Sequence, residues 1–207
     1  MRNYKMPFNL RASLRKANIV VLAHSYNPSI VSPDWVLERK ILSEPINDFV
    51  HTPAFSLMQS NNFSLVVATN RLQLSAKKLD SDNIKLMPQI LHKFFTFLPE
   101  TPCRAMGFNF TYELKVGHDL LKDVLSPKKQ TIEKLFASEY KLGAIIHFKF
   151  EECFFVRVNI SPMRQKENIQ VVNFNFHTII NGATIAKERL NLYEKILQEM
   201  EKIQKWI

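Results

Sequence analysis

The sequence predicts an α+β protein: two tandem β-α-β-β-β-α units forming a curved, mostly antiparallel sheet, with the long helices packed on one face. Three observations carry this expectation. Apolar and polar residues alternate along several stretches, as in "AMGFNFTYEL" at 105–114, which is the period of a strand with one buried face. Two long segments, 84–98 and 184–206, place apolar residues at helical spacing instead. The order of these elements is also the same in residues 17–100 as in residues 101–207, although no residue-level repeat accompanies it.

Residues 1–16 have no clear period and are expected to form an arm. "ANIVVLAHSY" (17–26) is apolar and β-branched and reads as a buried strand. In "NPSIVSPDWVLERK", Ser32 can cap a short helix that has Pro33 at its first position and Asp34 in its first turn. Extended structure then fills 50–76, with a turn signal at Asn61-Asn62 and "RLQL" at 71–74 as the last strand. The helix at 84–98 presents Ile84, Met87, Ile90, Leu91, Phe94, Phe95 and Leu98 as one stripe, with Pro88 expected in its first turn. The second half repeats the order: strand 103–115, helix 118–136, strands within 140–179, and a closing helix 184–206 with Leu190, Tyr193, Leu197, Met200 and Trp206 on one side. An amphipathic helix must bury its stripe, and a sheet with one apolar face is the available surface. We therefore expect a basic arm (1–16), a first unit (17–100) and a second unit (101–207) within one compact domain.

This element order resembles the TATA-box-binding-protein-like architecture, a duplicated strand–helix–strands–helix unit, over about residues 17–206. "RLQL" after a strand, "FNFTYEL" opening the second half and a long closing helix ending in Trp206 resemble a family of uncharacterised bacterial proteins with sporadic distribution. That resemblance implies a fold and no activity; sporadic distribution would fit a defence or mobile-element gene.

The formal net charge is +9, and it is unevenly spread. The first 16 residues hold Arg2, Lys5, Arg11, Arg15 and Lys16 and no acid, so the body is only mildly basic. Such an arm can meet nucleic acid, an anionic surface or an acidic protein, or can simply aid solubility. The two cysteines, Cys103 and Cys153, do not suggest a secreted disulfide framework, and reduced thiols are expected. No apolar run approaches the ~20 residues that span a bilayer. Together these point to a cytoplasmic protein with no membrane partner.

The four glycines, Gly107, Gly117, Gly143 and Gly182, leave little material for a phosphate-cradling loop. No P-loop, dinucleotide, zincin or nucleophile-elbow motif is present. Asp34, Glu38 and Lys40 superficially look like a nuclease set but fall on one short helix. His118, Asp119 and Asp123 read as helix-start chemistry, and Glu151-Glu152 as a hairpin tip. No cofactor or metal is expected.

What remains is the polar side of the second-half strands. Phe108, Phe110, Ile146, Phe148, Phe150, Phe154, Val156, Val158, Val172, Phe174 and Phe176 form the expected core set. Between them lie Asn109, Thr111, Glu113, His147, Lys149, Arg157, Asn159, Asn173, Asn175 and His177. In the first half Arg71, Gln73 and Ser75 alternate likewise. A solvated sheet face explains polar residues in general. Asparagine is depleted in strands, however, so its abundance here also suits a recognition surface for a peptide, a base edge or a small ligand. The function expected is a non-catalytic protein-interaction or regulatory accessory protein. The alternative is a nucleic-acid-binding regulator using this face and the arm. An acid–base site of His147, His177 and Glu113 is the enzymatic possibility.

Overall fold

The computed structural model describes residues 12–115, 141–163 and 169–206. Nine strands form a single sheet. They are β1 (Ala12–Ala23), β2 (Asp48–Thr52), β3 (Phe55–Gln59), β4 (Phe63–Ala68), β5 (Arg71–Ala76), β6 (Cys103–Lys115), β7 (Ala144–Phe150), β8 (Phe154–Pro162) and β9 (Ile169–Ile179). The order across the sheet is β2-β3-β4-β5-β1-β6-β9-β8-β7, and each neighbouring pair is antiparallel. Among the described residues a 3₁₀ turn (Pro28–Ile30) and the helices α1 (Pro33–Glu38), α2 (Ser81–Phe97), α3 (Gly182–Leu190) and α4 (Tyr193–Trp206) join the sheet in an α+β fold.

The registers put Leu74, Ile19, Phe108, Phe176 and Val156 side by side on β5, β1, β6, β9 and β8. All five are buried. The helices cover this face. Tyr193 of α4 lies 5.6 Å from the Phe108 ring and donates its hydroxyl to Met87 Sδ of α2. α2 packs on β5 and β1, and α3 on β6 and α2. Trp35 of α1 meets the Phe94 ring edge-on. Each fully buried Phe contributes about 2–3 kcal/mol by leaving water, so this layer holds the sheet to its helices.

Local chemistry moved several expected boundaries. The first strand begins at Ala12, not Ala17, because 12–16 pair with β6 across a register shift at Arg15. Arg15 and Lys16, expected in the arm, therefore belong to the sheet. Arg2, Lys5 and Arg11 lie outside the described residues. That strand ends at Ala23, where the amides of His24 and Tyr26 turn to the carbonyls of Pro102 and Thr69. Residues 48–59 form a hairpin closed at Pro53-Ala54 rather than one strand. α2 starts at Ser81, where Asp80 caps it by accepting from the Asn83 amide at 2.8 Å. Pro88 thus sits inside the helix, not in its first turn, and the helix runs on past it.

The closing helix is two helices. The amides of Asn191 and Leu192 bond back to the carbonyls of Glu188 and Arg189, three residues earlier, which tightens the chain between α3 and α4. The buried stripe Ala183, Ala186, Leu190, Tyr193, Ile196 and Met200 continues across the break. Ile196 takes the core place expected for the half-buried Leu197. The helix expected at 118–136, with His118, Asp119 and Asp123, lies outside the described residues, as does most of the turn expected at 163–168.

Candidate binding face

The helices leave the other sheet face bare among the described residues. Because every pair is antiparallel, and the β1–β6 register is continuous from Lys16 to Leu22, side chains of the same parity line up in rows that cross the sheet. One row takes a polar residue from each strand in turn: His147, Arg157, Asn175, Asn109, Asn18, Ser75, Ser64, Gln59 and Asp48. Its centre is an amide ladder. Asn175 Nδ2 donates to Asn109 Oδ1 at 2.6 Å, and Asn109 Nδ2 donates to Asn18 Oδ1 at 2.8 Å. Beside it Thr111 Oγ1 donates to Asn173 Oδ1 at 2.8 Å. Along β5, Arg71 donates to Gln73 at 2.6 Å and Gln73 to Ser75 at 2.9 Å.

Asn109, Thr111, Asn173 and Asn175, expected on one polar face, lie on a common surface. Asn159 lies opposite Asn173 on the next strand. Asn18 escaped notice because it sits in the apolar run "ANIVVLAHSY". It is 5% exposed, and its oxygen is satisfied by the ladder. An asparagine breaking a buried-strand pattern was the available signal.

Other expected groupings do not form. His147 and His177 are on β7 and β9, which β8 separates, so they are not neighbours. Glu113 faces Val171, six residues along β9 from His177, or about 20 Å at ~3.3 Å per residue. The carboxylate instead meets Arg15 at 2.8 Å. The enzymatic grouping of His147, His177 and Glu113 is corrected accordingly. Ile146, expected in the core, is 40% exposed because β7 is the last strand of the sheet.

The open face is not wholly polar. Phe155, 54% exposed, stands opposite His177 on one side and Lys149 on the other, and the Lys149 ammonium lies 5.8 Å from its ring. Val50, Phe55, Ile145 and Ile179 are exposed on the same face. Lys16, Arg71, Lys115, Lys149 and Arg157 give this face its charge, against Asp48 and the Arg15-paired Glu113.

Elsewhere the polar groups have structural partners. His51 Nδ1 lies 3.3 Å from Ser56 Oγ, but that hydroxyl donates to the Val31 carbonyl at 2.7 Å and is fully buried. The imidazole must then be the donor, so this pair cannot activate the serine as a nucleophile. The Glu44 carboxylate accepts from the Ser60 hydroxyl and from the Asn62 amide and side chain, tying the 42–47 loop to the β3–β4 turn. Asp34 is in the first turn of α1 and Glu38 at its end pairs with Arg39 at 3.6 Å, whereas Lys40, expected on the same helix, lies beyond its end with a left-handed backbone. Glu151 and Glu152 form the tip of the β7–β8 hairpin, both with left-handed backbones.

Cys103 and Cys153 are free. Burial pushes the Cys103 thiol up to about 11, while its contact with the Tyr26 hydroxyl opposes the shift. Among the described residues no group of three or more His, Cys, Asp or Glu could hold a metal ion. No described helix is long and apolar enough to cross a membrane. A shallow groove of about 450 Å³ between the 3₁₀ turn and the end of α2 is mostly apolar, with Glu100 as its one charged lining residue. Scanned against family models and curated proteins, the chain matches none.

Proposed function

We propose that the protein is a non-catalytic accessory protein that binds another protein through the sheet face that its described helices leave bare. The transverse row of nine polar residues, centred on the Asn175–Asn109–Asn18 ladder and flanked by exposed Phe155, Phe55 and Val50, carries this reading. The ladder fixes the amides in one orientation before any partner arrives, which lowers the entropy cost of recognition. Exposed aromatics beside such groups supply anchors. The same reading takes residues 17–100 and 101–207 as two tandem units of a curved, TATA-box-binding-protein-like sheet. The strand order, which runs outward from β1 and β6 through β5 and β9 and then β4 and β8, supports it. A bacterial setting, with a defence or mobile-element gene, belongs to this proposal and rests on the family resemblance alone, while a cytoplasmic location belongs to it through two cysteines expected to stay reduced.

The test is affinity capture from lysate with the wild type, Phe155→Glu and Arg157→Glu in parallel. A partner retained by the wild type and lost by both face variants is expected. Equal recovery by all three would remove the face from the interaction.

A second reading, nucleic-acid binding, is favoured by one observation: Lys16, Arg71, Lys149 and Arg157 share the face with an exposed aromatic. Phosphate contacts make binding fall with salt, by roughly one unit of log–log slope per neutralised phosphate. Arg157→Gln and Arg71→Gln should each lower that slope by about one. Replacing Arg2, Lys5 and Arg11 with Gln, while leaving Arg15 and Lys16 of β1 in place, separates the arm's contribution from that of the face. Undetectable or salt-independent binding to single- and double-stranded probes rules this reading out.

A further inference from the structure

Strand β2 ends the sheet, and among the described residues nothing pairs along its outer edge. Such an edge is a row of unpaired amides and carbonyls, which proteins usually blunt with lysine, proline or a bulge. The opposite edge strand, β7, carries Lys149. β2 reads Asp48-Phe49-Val50-His51-Thr52 and has neither lysine nor proline. It leaves Phe49 56% and Val50 49% exposed, one on each side of the sheet. Exposed Ile30, on the 3₁₀ turn that packs against β2, and exposed Phe55, on β3, extend apolar surface beside the edge on both sides.

We infer that this edge is a homodimer interface, in which β2 pairs antiparallel with β2 of a second copy about a two-fold axis through Val50. The strand is complementary to itself in this register. Val50 meets Val50 of the second copy, and Phe49 lies opposite His51 as an aromatic pair. Asp48 faces neutral Thr52 rather than another carboxylate. The hydrogen-bond parity agrees. Thr52 and Phe55 close the two-residue Pro53-Ala54 turn, so positions 48, 50 and 52 bond inward to β3. Phe49 and His51 then present their amides and carbonyls outward, where the two-fold brings Phe49 of each copy to His51 of the other. Two copies form a closed pair, because the described residues of each chain offer one such edge; pairing β2 with β7 of another copy would instead grow open chains.

Sedimentation of the full chain over a concentration series tests the inference. A monomer–dimer equilibrium with nothing larger is expected. Val50→Lys sets two like charges face to face and should halve the sedimenting mass, as should Val50→Glu. An equimolar mixture of the two should restore the dimer, because opposite charges then meet across the axis. Ile145→Lys, on the opposite edge, should leave it intact. Val50→Cys gives a second readout: the close Cα approach of a non-hydrogen-bonded pair suits a disulfide, so mild oxidation should yield a covalent dimer that the wild type does not form. A wild type that stays monomeric, assembly beyond a dimer, a dimer indifferent to Val50→Lys, or a charge mixture that stays monomeric would each overturn the inference.

Discussion

Asn109 is the hinge of the amide ladder, and its removal has a magnitude that the geometry fixes. It accepts from Asn175 at 2.6 Å and donates to Asn18 at 2.8 Å. Asn109→Ala deletes both bonds, each worth about 1 kcal/mol net. It also strands the Asn18 oxygen, which belongs to a side chain 5% exposed and cannot easily be rehydrated. A buried acceptor left without a donor costs about 1–3 kcal/mol. The sum is about 3–5 kcal/mol, large against a typical stability of about 5–15 kcal/mol. Thr111→Val deletes one bond between half-buried groups and should cost about 1 kcal/mol. Urea unfolding monitored by circular dichroism measures both. A double-mutant cycle isolates the stranded group: Asn18→Val with Asn109→Val removes donor and acceptor together and should cost clearly less than the sum of the singles. If Asn109→Ala costs under about 0.5 kcal/mol, or the double variant is additive, the ladder does not organise the face.

Three other outcomes are expected. Glu152 has φ 55 at the β7–β8 tip, a conformation in which glycine carries no steric penalty, so Glu152→Gly should raise stability by about 1 kcal/mol in the same unfolding assay. Phe154 is fully buried against Phe108, Phe150 and Phe176, and Phe154→Ala should cost about 3–5 kcal/mol in chemical denaturation. The Cys103 thiol, ordinarily titrating at 9.0, is held up to about 11 by burial. Above pH 9 the unfolded chain therefore releases this proton before the folded one does, and stability should fall as pH rises from 9 to 11; Cys103→Ala should make that decline shallower in a pH series of melting temperatures, and an unchanged decline would remove the thiol from it.

Legibility in the sequence followed the range of the forces involved. Alternation around Phe108, Phe110 and Phe174 exposed the sheet's two faces, because a strand's side-chain period is fixed by its own backbone. The Ser32–Pro33–Asp34 helix start was legible for the same reason, since capping is settled within one turn. Asp80 was missed as a cap although its chemistry is equally local, and that omission displaced Pro88 from the interior of α2 to its first turn. The α3–α4 break was hidden because the buried stripe runs through it unbroken.

The amino-acid sequence by itself determined the α+β class, the core face of most strands, the two amphipathic segments at the ends of the halves and the polar character of Asn109, Thr111, Asn173 and Asn175. Each depends on neighbours within a few residues. Tertiary structure alone decided which strand lies beside which. That choice separated His147 from His177, paired Arg15 with Glu113, drew Asn18 into a ladder with residues 91 positions away, and left β2 at an open edge. Strand order is set by burying both halves' apolar faces under a shared helical layer, a long-range condition that no local period encodes.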